Sequence, residues 1–183
     1  ATAQLLGEDE FLCLKAISKL KNAPGRFQTY NTKNGITLII DYAHTPDALK
    51  NVLNTINKIR TQNESLYTII GCGGNRDREK RPLMGCTAAS LSSKVIFTSD
   101  NPRDEDPDQI IEEISAGVKP IDYKKTISIT RRREAIKLAC QMSKPGDIVL
   151  IAGKGHENYQ EIRGERLPFD DYKIAKEIFS KIL

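Results

Sequence analysis

Apolar runs at 36–41, 67–71, 94–98, 126–129 and 148–152 are each followed by a helix-like stretch, at 46–60, 82–91, 108–118, 132–142 and 171–182. That alternation leaves few folds open. Short strands joined by helices of ten or so residues are βα crossovers, so the strands lie parallel in a sheet covered on both faces. Right-handed crossovers then bring every strand's C-terminal end to one edge. The loops that start at Asp41, Gly71, Thr98 and Ala152 share it, and open α/β sheets bind ligands there.

The expected fold is therefore α/β and Rossmann-like, a mostly parallel sheet with helices on both faces. One strand departs from the pattern. Residues 27–31 and 36–41 flank Thr32-Lys33-Asn34-Gly35, whose Asn-Gly pair supplies the positive φ of a hairpin turn, so the N-terminal strand runs antiparallel. Residues 1–22 read as a helix with Leu5, Leu6, Leu14, Ile17 and Leu20 apolar, stopped by Asn22-Ala23-Pro24-Gly25. It has no evident partner in the rest of the sequence. Residues 1–22 are thus expected to be the tail of a preceding domain with its linker, and 23–183 the α/β domain.

Composition removes several functions. With 39% apolar and 28% charged residues the 183-residue chain can bury a core. A net charge of +4 from 28 basic and 24 acidic side chains is too mixed to argue for nucleic acid or an anionic membrane. Cys13, Cys72, Cys86 and Cys140 form no CxxC pair and the histidines are His44 and His156 alone, a poor basis for a zinc cluster. The cysteines read as reduced thiols, with Cys140 on an apolar helix face. No apolar run approaches the ~18 residues of a membrane span, and no signal-peptide pattern is present. A cytoplasmic location is expected.

Four loops on the shared edge carry chemistry. In Asp41-Tyr42-Ala43-His44-Thr45-Pro46-Asp47 a carboxylate at a strand end can accept ribose hydroxyls, while Tyr42 and His44 offer ring faces to a base. The same residues also make good helix-start chemistry, with Thr45 as cap and Pro46 at the first position. Gly71-Cys72-Gly73-Gly74-Asn75-Arg76-Asp77 can turn tightly and present an anion nest. Of the charged run after it, residues 78–80 read as solvated and Arg81, before Pro82, as facing the edge.

Asp100-Asn101-Pro102-Arg103 is a turn stiffened by its proline, which aims Arg103 and suits it to grip a carboxylate; an ordinary Asn-Pro turn with an exposed arginine fits equally. Asp104, Glu105, Asp106 and Asp108 read as charge at a helix N-terminus. In Gly153-Lys154-Gly155-His156-Glu157, Glu157 can take the ammonium of a zwitterion whose carboxylate sits on Arg103. His156 reads as structural rather than as a catalytic base. Neither glycine loop is a phosphate-binding Walker loop, since Gly155 stands where Ser or Thr must bind Mg²⁺.

Together, Pro24-Gly25-Arg26, the run from Asp41 to Leu49, the Gly71 to Asp77 loop, Lys80 to Gly85, the Asp100 to Arg103 turn and Gly153 to Glu157 resemble the Mur ligases, ATP-dependent amide-forming enzymes of peptidoglycan synthesis. The resemblance is strongest to the type that adds the third amino acid to UDP-N-acetylmuramoyl-L-alanyl-D-glutamate, and covers residues 20–183. It implies a C-terminal domain that grips the amino acid through Arg81, Asp100, Asn101, Arg103, Gly153 and Glu157. The Asp-Asn-Pro-Arg form is similar to the version selecting meso-diaminopimelate. Arg26, Asp41, Tyr42 and His44 match positions that close over ATP. No catalytic residue and no metal ligand is implied in this chain.

The resemblance also implies ATP and Mg²⁺ as cofactors held mostly by a central domain, the UDP sugar held by an N-terminal one, and a fragment inactive alone. Asn75, where some relatives have Asp, and Arg131, where many have an acidic residue, depart from the pattern. Two other readings remain open: a folate polyglutamate-type ligase domain and a free-standing amino-acid-binding module.

Overall fold

The computed structural model describes residues 5–19, 22–61 and 63–181. In chain order the elements are α1 (Glu10–Ile17), β1 (Gln28–Asn31), β2 (Thr37–Asp41), α2 (Pro46–Ile59), β3 (Leu66–Ile70), α3 (Lys80–Leu91), β4 (Lys94–Phe97), α4 (Pro107–Ser115), a 3₁₀ turn (Pro120–Lys125), β5 (Thr126–Ser128), α5 (Arg132–Met142), β6 (Ile148–Ala152), β7 (Tyr159–Ile162), β8 (Glu165–Pro168) and α6 (Asp171–Lys181). A six-stranded sheet has the order β1-β2-β6-β3-β4-β5. Within it only the β1–β2 pair is antiparallel.

The connection from β2 to β3 skips one position, and the return from β5 places β6 in that gap. This reversal of strand order leaves a crevice at the C-terminal ends. Register levels the edge: Asp41 lies opposite Ala152, and Ile70 opposite Phe97.

Alternation along each buried strand divides the core into two layers. Ile39, Ile70, Val95, Phe97 and Leu150 face α2, α3 and α4, which bring Leu53, Ala88 and Ile114. Leu38, Ile40, Ile69, Ile96 and Val149 face α5 and α6, which bring Ile136, Ala139, Ile178 and Phe179. Helix α2 shows how local sequence achieves this. Thr45 accepts a hydrogen bond from the Ala48 N–H, Pro46 sits in the first turn, and Leu49, Leu53 and Ile56 fall on one buried face. Truncating Leu53 to alanine removes about 2–5 kcal/mol.

Among the described residues the expected N-terminal helix is interrupted before Glu10. It starts at Glu10 with Asp9 capping the Leu12 N–H, and Gly7 adopts a φ of 87° that a helix does not accommodate. Residues 1–4, 20 and 21 lie outside the described residues. Helix α1 buries none of its residues. The expectation also passed over β7 and β8, an antiparallel hairpin turning at Arg163-Gly164, both at positive φ. Strand β7 is half-buried along its whole length and β8 is exposed throughout. They therefore carry no apolar alternation to read.

Candidate functional site

A cleft of about 580 Å³ opens at the C-terminal edge, lined by the loops that follow β2, β3, β4 and β6. Of the residues expected there, Tyr42, His44, Asp100, Asn101, Arg103, Gly153 and Glu157 all line it. Arg76, Asp77, Lys80 and Tyr159 join them.

Glycines allow the loops to come this close. A Cβ on Gly74 would stand 1.9 Å from the Pro102 carbonyl oxygen, and Gly25, at φ 69°, packs so tightly on Gly155-His156 that a Cβ would lie 2.1 Å from the His156 nitrogen. The Gly74 N–H donates to the Asn101 carbonyl over 2.9 Å. At the back, the buried Arg132 donates to both carboxylate oxygens of Asp171 at 2.8 Å and to the Ala152 carbonyl at 3.0 Å, which fixes the end of β6 where the Gly153 loop departs.

One end of the cleft is aromatic. The Tyr42 ring lies 4.6 Å from the His44 ring and 5.4 Å from that of His156, and the Arg26 guanidinium sits 4.5 Å from the Tyr42 centroid. The rings are inclined to one another by 65° and 40°, so these groups form an edge-to-face cluster at the rim. Asp41 is placed differently: it is buried, and its two carboxylate oxygens accept the N–H groups of Phe27 (2.7 Å) and Ala43 (2.8 Å). It ties the Arg26 turn to the Tyr42 loop and does not line the cleft.

The other end is charged. The Arg103 backbone, at φ 51°, exchanges hydrogen bonds with β7: its N–H donates to the Glu161 carbonyl and its carbonyl accepts from the Arg163 N–H. Its side chain donates to the Gly74 carbonyl at 2.8 Å and pairs with Glu161 at 3.2 Å. Asn101 donates to Glu157 Oε2 over 2.9 Å and accepts from the Glu161 N–H over 3.0 Å. The hairpin β7–β8 thus holds the turn from behind, with Gln160 donating to the Asp100 carbonyl at 2.6 Å.

Arg81 does not face the shared edge as expected. The helix begins at Lys80 rather than Pro82, so Lys80 takes the cleft-facing position, donating to the His44 carbonyl, and Arg81 turns inward. There it is wholly enclosed, donating to both oxygens of Glu105, to Glu113 and to the Gly73 carbonyl. Hydrogen bonding from Arg81 holds the Glu105 carboxyl down at about 2, against some loss from burial. In this geometry Arg81 shapes the glycine loop from beneath. Glu105, read from sequence as helix-end charge, is its partner.

The sequence assigns Lys154 no role, since its loop lacks the Ser or Thr of a phosphate-binding pattern and Glu157 and Gly153 carry the amino-acid reading. Lys154 is fully buried, and its ammonium donates to Asn101 Oδ1, Glu157 Oε2 and Asp100 Oδ1 at 3.0, 3.2 and 3.5 Å. A lysine two residues beyond a buried strand, near acidic residues of the neighbouring loops, was the available signal.

Burial pushes the Cys72 and Cys140 thiols up to about 12, so neither offers a thiolate. Among the described residues no three His, Cys, Asp or Glu side chains converge to hold a metal ion.

Residues 25–155 match the family model for the Mur ligase, glutamate ligase domain. The chain belongs to the Mur ligase family. This Mur ligase domain is 51% identical over 182 residues to a UDP-N-acetylmuramoyl-L-alanyl-D-glutamate--2,6-diaminopimelate ligase of Cytophaga hutchinsonii, covering 100% of this chain and 37% of that protein. A solved structure of a ligase with the same name superposes with a TM-score of 0.80 at 43% identity, over 99% of this chain and 36% of the other. The MurF ligase of Thermotoga maritima in complex with ADP shares the fold, with a TM-score of 0.61 at 20% identity over 98% of this chain and 35% of that one. The domain thus spans about a third of the length of these relatives. No described helix is long and apolar enough to cross a membrane.

Proposed function

We propose that this chain is the amino-acid-binding domain of a cytoplasmic ATP-dependent ligase that joins meso-diaminopimelate to UDP-N-acetylmuramoyl-L-alanyl-D-glutamate. The observation that carries the reading is the placement of Arg103 and Glu157 in one cleft, Glu157 held by Asn101 and Arg103 by Gly74 and Glu161. Diaminopimelate has an ammonium and a carboxylate at each end, and a fixed guanidinium beside a fixed carboxylate complements one such end. The naming of a 51% identical relative supports the same substrate.

ATP would phosphorylate the D-glutamate side-chain carboxyl, the diaminopimelate amine would attack the acyl phosphate, and phosphate would leave. The chain's own part is orientation. Arg103 and Asn101 hold the carboxylate end, Glu157 the ammonium, and the amine is presented to the acyl phosphate from a fixed position, which replaces a bimolecular encounter. Asp100 and Gly153 shape the floor, and Arg81 acts from below. Tyr42, His44 and Arg26 form the cluster that meets the adenine, with Asp41 bracing it. The donor set described here does not fit a magnesium site, so no step is assigned to the metal in this domain. The UDP sugar, the phosphates and Mg²⁺ belong to the preceding domains, of which residues 1–22 would be the tail.

The test is turnover by the ligase polypeptide that carries this chain, with diaminopimelate and lysine compared as acceptors. Phosphate release with diaminopimelate, and a specificity constant for lysine lower by roughly 10⁴, is the expected result. Equal use of lysine would overturn the substrate assignment.

A further inference from the structure

The reaction proposed above makes no use of Lys154, yet among the described residues it is the one lysine the fold encloses completely. Its loop leaves β6, whereas the turn it grips leaves β4, and β3 lies between those strands. The bridge passes over Gly71 at the end of β3, where a Cβ would stand 2.3 Å from the Thr98 carbonyl oxygen and 3.0 Å from the Asp100 nitrogen. The lysine therefore closes the crevice across the strand that divides it.

Its three donors are all engaged, on Asn101, Glu157 and Asp100, and no part of it reaches solvent. It is not a group that grips a ligand anion. What it does is set the state of Glu157. Oε2 of that carboxylate already accepts from Lys154 and from Asn101, while Oε1 takes no hydrogen bond among the described residues and belongs to a side chain that lines the cleft. One ammonium against the carboxylates of Asp100 and Glu157 leaves a single net negative charge. That suits one cationic group. Without the lysine, two carboxylates would repel one another across the crevice, and the turn would lose its tie to the Glu157 loop.

We propose that Lys154 is a positioning residue for the amino-acid subsite, locking Glu157 so that one oxygen is aimed at the incoming ammonium and fixing the Asp100 to Arg103 turn against it. The inference rests on the reading that this cleft takes a zwitterionic amino acid.

The test uses the ligase polypeptide carrying this chain, in the wild type and as Lys154→Met, Lys154→Gln, Glu157→Gln and the Lys154→Met/Glu157→Gln double variant. Wild-type turnover with diaminopimelate is measured first; its absence would sink the reading of the cleft, separately from the role of Lys154. With turnover established, Lys154→Met is expected to raise the Michaelis constant for diaminopimelate about 10- to 100-fold, the scale of one charged hydrogen bond. The constants for ATP and for the UDP-dipeptide should stay within about 2-fold. Because the lysine acts through Glu157, adding Lys154→Met to Glu157→Gln should cost less than about 3-fold more. An unchanged diaminopimelate constant would overturn the proposal, as would equal increases for all three substrates or full additivity in the double variant. Thermal midpoints accompany each variant. If both Lys154→Met and Lys154→Gln fail to fold, the lysine serves the stability of the edge and the proposal falls.

Discussion

The guanidinium of Arg81 meets the carboxylate of Glu105 through two hydrogen bonds of 2.9 Å each, and none of the arginine side chain is left in contact with solvent. A charge enclosed in this way is tolerated because Glu105, Glu113 and the Gly73 carbonyl surround it. Removing either side of the pair leaves the other uncompensated. Arg81→Ala should destabilise the domain by about 3 kcal/mol or more, measured by denaturant unfolding. A loss under about 1 kcal/mol would show that water replaces the arginine freely.

The same pair gives a pH dependence with a definite sign. Glu105 has its folded value lowered from 4.5 to about 2, chiefly by the hydrogen bonds from Arg81. A group held down in the folded state contributes stability that is complete above its unfolded value and is lost as pH falls through its folded one. Glu113, held down by Arg78 and then Arg81, moves in the same direction. Comparing wild type with Glu105→Gln isolates the first group: their thermal midpoints should differ most above pH 4.5 and converge towards pH 2. A gap independent of pH would mean that the substitution acts through packing.

Much of this arrangement could be read from the chain, and the exceptions have physical causes. Strands β2, β3, β4 and β6 are largely apolar runs that end at or just before Asp41, Gly71, Thr98 and Gly153, so the crossovers alone bring Tyr42, Asn101, Arg103 and Glu157 to one edge. The direction of a side chain at a helix start is different. With α3 beginning at Lys80 instead of Pro82, Lys80 and Arg81 are successive helical residues that point about 100° apart around the axis, so one meets the cleft and the other the interior. Lys154 and the β7–β8 hairpin are hidden for a related reason: Asn101 lies 53 residues from Lys154 and Asp100 lies 60 residues from Gln160, and no local periodicity records such contacts.

Gly74 separates close approach from conformational need. It is not among the residues with positive φ, so alanine is allowed by the backbone, yet the Pro102 carbonyl oxygen stands 1.9 Å from where its Cβ would be. Gly74→Ala should force the glycine loop away from the Asp100 to Arg103 turn, costing about 1–3 kcal/mol as an overpacked contact. It should also break the bond from Arg103 to the Gly74 carbonyl. Unchanged stability, with unchanged affinity for the amino acid, would mean that the two loops separate without consequence.

Turnover provides a further check on the proposed function. In the proposed function the phosphates and the metal are held outside this chain, which spans 37% of a 51% identical ligase. The 183-residue chain incubated with ATP, Mg²⁺, diaminopimelate and the UDP-dipeptide should therefore release no phosphate. Calorimetry at millimolar ATP should show little heat. Robust turnover would mean that the phosphate site lies within this chain.

Arg103 is the residue on which the choice of amino acid should turn. Its Nη1 is committed to the Gly74 carbonyl and its Nε faces Glu161, which leaves Nη2 without a hydrogen bond among the described residues at the wall of the cleft. If it takes the distal carboxylate of diaminopimelate, lysine, which lacks that group, would leave the donor unpaired, a penalty that polar sites convert into discrimination of roughly 10⁴. In the ligase, Arg103→Ala should raise the Michaelis constant for diaminopimelate sharply and pull the ratio of specificity constants towards unity. Arg103→Lys should not rescue it, since a point charge cannot hold Gly74, Glu161 and a carboxylate together in the way a planar fork does. Glu157→Gln should weaken both amino acids more evenly, because both present an ammonium. If Arg103→Ala leaves the ratio of specificity constants unchanged, the turn is scaffolding and the carboxylate is read elsewhere.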